Sequence, residues 1–286
     1  MTRLHLAPPD ETIAAGPLLH TLAAHAVPGA EIHAGHRHQR LIRTAGDVHA
    51  VTVEIRPHDI LLESSTDDSA ILHEIAGTVR SWLDLDTDTR PIAEHLRHDP
   101  IIGPLVDANP GLRIPSYPDG FEAIVMTVLG QQVSLAAGRT FGGRLVAAYG
   151  APGPAGLIHF PTPEALADVT AIELAARVGL TGARARTVVA VAKAFAGGLS
   201  LVRGGHTSEF RAQLLDLPGI GPWTVDFLAV RALADPDAFT PGDLILRRAL
   251  AGVTAREATE VAESWRPWRA YALSYLWASA APPARP

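Results

Sequence analysis

The chain has 286 residues, 47% of them hydrophobic, no cysteine and a formal net charge of −6. That length can bury a sizeable core in two or three domains, and the missing thiols exclude a four-Cys iron–sulfur cluster and fit a reducing compartment, here expected to be the cytoplasm. No apolar run reaches membrane-spanning length, and the first 30 residues carry Pro, Asp, Glu and His where a signal peptide would be apolar.

In chain order, strand-like runs fall at Gln39–Thr44, Val48–Ile55 and Ile60–Glu63, separated by Ala-Gly-Asp and Pro-His-Asp turns. Val51, Val53 and Ile55 alternate with polar residues, the period of a half-buried strand. Behind the acidic cap signal Asp67-Asp68, residues Ser69–Leu85 place Ile71, Leu72, Ile75, Val79, Trp82 and Leu83 on one helical stripe. This helix is predicted to pack on a small antiparallel sheet, with the Asp/Thr-rich segment Asp84–Arg90 as the boundary. The fold class is therefore α+β, with an N-terminal sheet-and-helix domain over residues 1–88 and a mainly α-helical domain over 89–286. His33-x-x-His36-x-His38 lacks a completing Cys or carboxylate pair, and Asp84-Leu85-Asp86-Thr87-Asp88 lacks the Gly and terminal Glu of a calcium loop. Both are read as facing solvent.

The second part opens with an apolar run ending in Gly130-Gln131-Gln132-Val133-Ser134, and Gly150–Gly156 (GAPGPAG) reads as a flexible connection between helices. Residues Ala183–Phe195 form an amphipathic helix carrying Lys193, the only lysine, which is expected to face solvent or phosphate. Leu217-Pro218-Gly219-Ile220-Gly221 sets Pro and two glycines between apolar helical runs, so it should reverse the chain tightly between antiparallel helices. The amides of Gly219, Gly221 and Thr224 would then point outward with a positive helix end behind them, a sequence-neutral grip on phosphate. An ordinary αα-hairpin or a non-catalytic DNA-binding hairpin has the same spelling.

Asp243 stands 24 residues beyond Gly219, directly before the run Leu244–Leu250. It reads as a helix N-cap, and helix dipole and amide hydrogen bonds favour the ionised form of a carboxylate so placed. Such an anion is also what cleavage of an N-glycosidic bond requires, since positive charge develops on the sugar in the transition state. Residues 1–100 hold 8 basic and 15 acidic groups, whereas residues 101–286 hold 16 and 15, so the acidic balance is confined to the front. Arg139, Arg184, Arg186, Arg247 and Arg248 are the candidate phosphate contacts in the remainder. The tail Ala280–Pro286, with three prolines, should fray.

LPGIGPWTVDF followed by TPGDLILRR resembles the helix-hairpin-helix glycosylases, most closely the AlkA-type 3-methyladenine DNA glycosylase II group. Phe121-Glu122 through Ser134 resembles its ILGQQVS segment and Trp265–Ala272 its WRPWRSYA helix, with Phe160–Leu166 and Gly179–Arg186 in order between them. The strong likeness covers Gly120 to Trp277, and the α+β front matches the family in layout only. What the resemblance implies is double-stranded DNA with damaged bases as the partner of a monomeric enzyme. Asp243 would be the catalytic carboxylate, and Trp223, Trp277, Phe227 and Leu244 would form the base pocket. Gln132 would be the wedge pushed into the duplex, and Gly219, Gly221 and Thr224 the phosphate amides. A monovalent cation would be held by the backbone carbonyls of Leu215, Leu217 and Ile220.

The extruded base would lie between aromatic faces, where an indole facing a cationic alkylated purine gains about 0.5 to 2 kcal/mol. Trp265 and Trp268 read as packing residues. Phe227, Leu244 and Ala278 stand where many relatives have tyrosines, and Thr21 where a Phe is common, so the pocket should be wider and less aromatic. Trp223 occupies the place of the lysine of bifunctional relatives, which implies a monofunctional enzyme that leaves an abasic site. A glycosylase for hypoxanthine or an oxidised purine, or a protein that binds lesions without cutting, remains open on the same residues.

Overall fold

The computed structural model describes residues 2–205 and 208–280. Strands β1 (Thr2–Leu6), β2 (Glu31–Ala34), β3 (Arg37–Arg43), β4 (Val48–Ile55) and β5 (Ile60–Ser64) form one antiparallel sheet in the order β1-β5-β4-β3-β2. Helix α1 (Ala15–His25) follows β1, and α2 (Ser69–Trp82) follows β5. Asp68 caps α2 by accepting from the amides of Ala70 and Ile71 at 2.8 and 3.2 Å. The buried side chains of Ile75, Val79 and Trp82 pack with Val51, Val53 and Ile60 of the sheet, as the stripe on this helix and the strand alternation require.

The α+β class and the three strands expected from strand-like runs between turns are present as β3, β4 and β5. Sequence reading missed β1, β2 and α1. Each is short or poorly marked: β1 and β2 have five and four residues, and α1 has no side-chain N-cap and begins Ala-Gly-Pro.

The histidine run is not a solvent-facing loop. His33 and His38 face each other across the β2–β3 hairpin, and His38 is 1% exposed, tilted against Trp82 at 5.5 Å between ring centroids. No group of residues suited to a metal ion occurs among the described residues. Asp84 is likewise not solvent-facing. At 2% exposure it accepts from Thr87, Arg203 and Tyr271 at 2.7, 2.8 and 2.7 Å. A carboxylate in that setting is a tie point between segments. Gly150–Gly156 is ordered by a hairpin of two-residue strands, 151–152 and 158–159, in which the Gly153 amide donates to the Leu157 carbonyl at 2.9 Å.

The remainder is helical: α3 (Arg90–Leu96), α4 (Gly103–Ala108), α5 (Gly120–Gly130), α6 (Leu135–Tyr149), α7 (Pro163–Ala167), α8 (Ala171–Val178), α9 (Gly182–Ala196), α10 (Ser208–Leu215), α11 (Pro222–Arg231), α12 (Leu244–Ala249), α13 (Ala255–Val261) and α14 (Arg269–Ala280). One core forms where α5, α9 and α11 meet, with Ile124, Val128, Val188 and Leu228 fully buried. A second joins α3 and α4 to the C-terminal helices around Trp265, whose Nε1 donates to Asp99 at 2.8 Å. Lys193 is exposed, but α9 is central and buries Val188, Val191 and Ala192. No helix among the described residues is long and apolar enough to cross a membrane. The expected frayed tail lies, from 281 on, outside the described residues.

Candidate active site

The turn between α10 and α11 needs its first glycine. Gly219 has φ +81°, and a Cβ there would stand 2.1 Å from Thr187 Oγ1, so both conformation and space exclude a side chain. Ile220 N–H closes the turn on Leu217 O at 3.1 Å. Gly221 then caps α11 in an extended conformation and Pro222 begins the helix, where its missing N–H loses nothing. The amides of Gly219, Gly221, Trp223 and Thr224 find no acceptor among the described residues, which leaves a row of donors at a positive helix end. The carbonyls of Leu215 and Ile220 accept no hydrogen bond there either, whereas Leu217 O serves the turn.

Gln131 was missed by sequence reading. Its Nε2 donates to Gly219 O at 3.1 Å and to Thr224 Oγ1 at 3.0 Å, and its carbonyl accepts from Arg184. These bonds fasten the loop after α5 to the hairpin. They leave Gln132 at the tip, exposed and with φ +54°. The only sequence signal was the Gln-Gln pair, which does not say which member faces inward.

Asp243 is the N-cap of α12. Its Oδ1 accepts from Leu246 N at 2.9 Å and from Trp277 Nε1 at 3.1 Å, while Oδ2 has no partner among the described residues. The carboxylate lines a cavity of about 550 Å³, a size suited to a small ligand. Phe227, Trp277 and Ala278 line it too, with Thr21 and His25 from α1 and Arg231 from the last turn of α11. Trp223 stacks on Phe227 at 5.1 Å and 19°, and Phe227 meets Trp277 at 5.8 Å and 48°, so Phe227 stands between the two indoles and Trp223 is set back from the cavity. Leu244 does not line the cavity. It is 57% exposed and Ile245 takes its place, because consecutive residues on the first turn of α12 point about 100° apart.

Burial, reinforced by Arg231, pulls the His25 imidazole down to about 4, so it is neutral near pH 7. Of the candidate phosphate arginines, Arg139, Arg184 and Arg247 bond inward to the carbonyls of Ala26, Gln131 and Val253. Arg186 and Arg248 stay exposed. Trp265 is fully buried and Trp268 half-buried, as packing residues.

Two family models match the chain: the AlkA N-terminal domain over residues 3–119 and the HhH-GPD superfamily base excision DNA repair protein over residues 125–268. A Mycobacterium tuberculosis protein described as "Probable bifunctional transcriptional activator/DNA repair enzyme AlkA" is 40% identical over 265 residues, which cover 90% of this chain and 53% of that protein. The chain thus spans about half the length of that relative. A Bacillus subtilis DNA-3-methyladenine glycosylase is 31% identical over 218 residues, 71% of each chain. Among solved structures, the 3-methyladenine DNA glycosylase from Archaeoglobus fulgidus superposes with a TM-score of 0.84 at 21% identity, covering 97% of both chains, which shows a common fold. An antiparallel α+β front, a glycine-dependent hairpin and a capping carboxylate in an aromatic cavity thus coincide with both family models, and the chain belongs to the HhH-GPD superfamily of base excision DNA repair proteins, in its form with an AlkA N-terminal domain.

Proposed function

We propose that the protein is a monofunctional DNA glycosylase that excises alkylated purines, chiefly 3-methyladenine and 7-methylguanine, from duplex DNA. The observation that carries this reading is Asp243, with a free carboxylate oxygen in the wall of an aromatic cavity beside a hairpin of unpaired amides. The amides of Gly219, Gly221 and Thr224 hold a backbone phosphate and set the register of the duplex. Gln132 enters the gap left by the extruded nucleotide, and Gln131 holds that loop in place. The base lies against Trp277 and Phe227, with Trp223 extending the same aromatic wall.

As the N-glycosidic bond breaks, the electron pair leaves with the base and the sugar becomes oxocarbenium-like. The Asp243 carboxylate stabilises that charge, and water completes the abasic site. A base already cationic through alkylation leaves without a second carboxylate. Trp223 stands where a Schiff-base lysine would be needed, and Lys193 is exposed on α9, so strand cleavage is not expected. The carbonyls of Leu215, Leu217 and Ile220 suit a monovalent cation, which would add positive charge beneath the phosphate amides. The protein acts as a cytoplasmic monomer on double-stranded DNA.

The test is release of free bases from methylated duplex DNA by the purified chain with a chelator present. Release of 3-methyladenine supports the reading. Binding to lesions without release of any base would instead make the chain a non-catalytic binder.

A further inference from the structure

His25 lies in the last turn of α1 and lines the cavity together with Asp243, Phe227 and Trp277. Its Nδ1 stands 2.9 Å from the Thr21 carbonyl oxygen. A carbonyl only accepts, so Nδ1 carries the proton and Nε2 is a bare lone pair. Burial, reinforced by the Arg231 guanidinium in the same wall, keeps the ring from charging near pH 7. Nε2 has no hydrogen-bond partner among the described residues, yet it is not sealed among packed atoms as the unpartnered Nε2 atoms of His38 and His49 are. It opens to the cavity that the ring lines. His20, on the same helix, lines the cavity as well, but no hydrogen bond among the described residues fixes its ring.

The other polar side chains of the wall are mostly acceptors too. The hydroxyls of Thr21 and Ser274 spend their protons on the carbonyls of Pro17 and Ala270 at 3.0 and 2.8 Å, which leaves them lone pairs alone. Oδ2 of Asp243 is without a partner among the described residues, and the Trp277 indole N–H is already given to Oδ1. Of the two guanidinium groups, Arg113 is taken up by Asp10 and the carbonyls of Asp84, Thr87 and Thr12, and only Arg231 is a donor set against these acceptors. A ligand that fills such a cavity needs N–H groups on its edge.

We propose that His25 sets the order of bases at this site: its Nε2 accepts a hydrogen bond from the exocyclic 6-amino group of a purine drawn into the cavity, so that 3-methyladenine is taken ahead of 7-methylguanine and hypoxanthine is discriminated against. This rests on the reading of the cavity as a base pocket. An adenine carries an N–H donor at position 6, where guanine and hypoxanthine carry a carbonyl oxygen. A 6-oxo group would set lone pair against lone pair, and both would lose water without gaining a bond. Sites built to pair a polar group of the substrate reject the analogue that lacks it.

The experiment is titration of the full chain with free 3-methyladenine and free hypoxanthine, read by quenching of tryptophan fluorescence, for wild type, His25→Phe and His25→Gln. Release of 3-methyladenine and 7-methylguanine from methylated duplex is measured beside hypoxanthine release from inosine-containing duplex. Wild type should bind 3-methyladenine about tenfold or more tightly than hypoxanthine. In His25→Phe the ratio should fall toward unity through weaker binding of 3-methyladenine. In His25→Gln it should fall through tighter binding of hypoxanthine, because a carboxamide can turn its NH2 toward an oxo group. A ring that only packs would weaken both bases alike and leave the ratio unchanged, which overturns the proposal. Equal or tighter binding of hypoxanthine by wild type overturns it too, needs no variant to fold, and would set position 6 against Arg231 instead. If bases are released but in no such order, the glycosylase reading stands and only the role of His25 falls. A chain that neither binds free bases nor releases any would refute the base pocket and the inference together.

Discussion

Replacing Asp243 by Asn separates the two duties of its carboxylate. Oδ1 caps α12 through Leu246 N at 2.9 Å and accepts from the Trp277 indole at 3.1 Å, and an Asn carbonyl oxygen can accept both. Asn and Asp are near-equal caps, so the fold should keep its stability within about 0.5 kcal/mol. Ala at the same position removes the cap, at about 1 kcal/mol, and orphans the indole N–H, at roughly another 1 to 2 kcal/mol. With about 2 to 4 °C per kcal/mol for a protein of this size, Asp243→Ala should lower Tm by about 4 to 12 °C and Asp243→Asn by about 2 °C or less. The charge is lost in both. One preorganised group aimed at developing charge contributes about 3 to 4 kcal/mol, so single-turnover base release should fall about 10² to 10³-fold in each variant. Two variants with equal activity loss and unequal Tm loss would establish chemistry beyond capping. Release by Asp243→Asn within about tenfold of wild type, or an activity loss that tracked the Tm loss across the pair, would refute the catalytic role and leave a structural cap.

Gly219→Ala should destabilise the fold, because φ is +81° and the new Cβ meets Thr187, whereas Gly221→Ala, with open space around it, should leave Tm unchanged and weaken DNA binding alone in an anisotropy titration. Gln131→Ala removes both bonds between the wedge loop and the hairpin, and base release should fall at least as far as in Gln132→Ala, with a stability loss of about 1 kcal/mol by denaturant titration. Burial, with the nearby Glu31 carboxylate adding to it, pushes the Glu122 carboxyl up from 4.5 to about 7. Between those values the folded chain keeps a proton that the unfolded chain has released, so this group's contribution to stability falls as pH rises from 4.5 to 7. Glu122→Gln should flatten that part of the Tm-against-pH curve. Arg186 and Arg248, exposed and without ionic partners among the described residues, should each lower the salt slope of DNA binding by about 0.9 per phosphate contact when replaced by Ala.

Elements with a strong local signal were legible. Alternation at Val51, Val53 and Ile55 marked β4 and the stripe from Leu72 to Trp82 marked α2, and these faces do pack together, but β4 is not half-buried, since Ala50 and Thr52 on its other face are buried too. The glycine turn at 217–221 and the cap at Asp243 were legible too, since backbone conformation and capping are decided within a few residues. The cavity was not. Its walls come from α1, the end of α11 and α14, and no spacing rule relates Thr21 or His25 to Trp277. The inward turn of Ile245 in place of Leu244 depends on how α12 is rotated in its packing, which a run of apolar residues does not reveal.

Net charge misleads for a related reason. The front 100 residues carry the acidic excess, but several of those carboxylates never reach solvent. The side chains of Asp10, Glu31, Glu63 and Asp84 are 1%, 7%, 5% and 2% exposed, and they pair with Arg113, Arg40, Arg37 and Arg203. A charge held in a buried ion pair contributes little to the field that a polyanion meets. Three of the five arginines first assigned to phosphate are tied differently, to the backbone carbonyls of Ala26, Gln131 and Val253, which turns them inward without neutralising them. On the proposed function, what would face a phosphate backbone is what this pairing leaves over among the described residues, a few free guanidinium groups and the unpaired amides of one hairpin. A grip of that kind suits a protein that must hold any sequence and let it go.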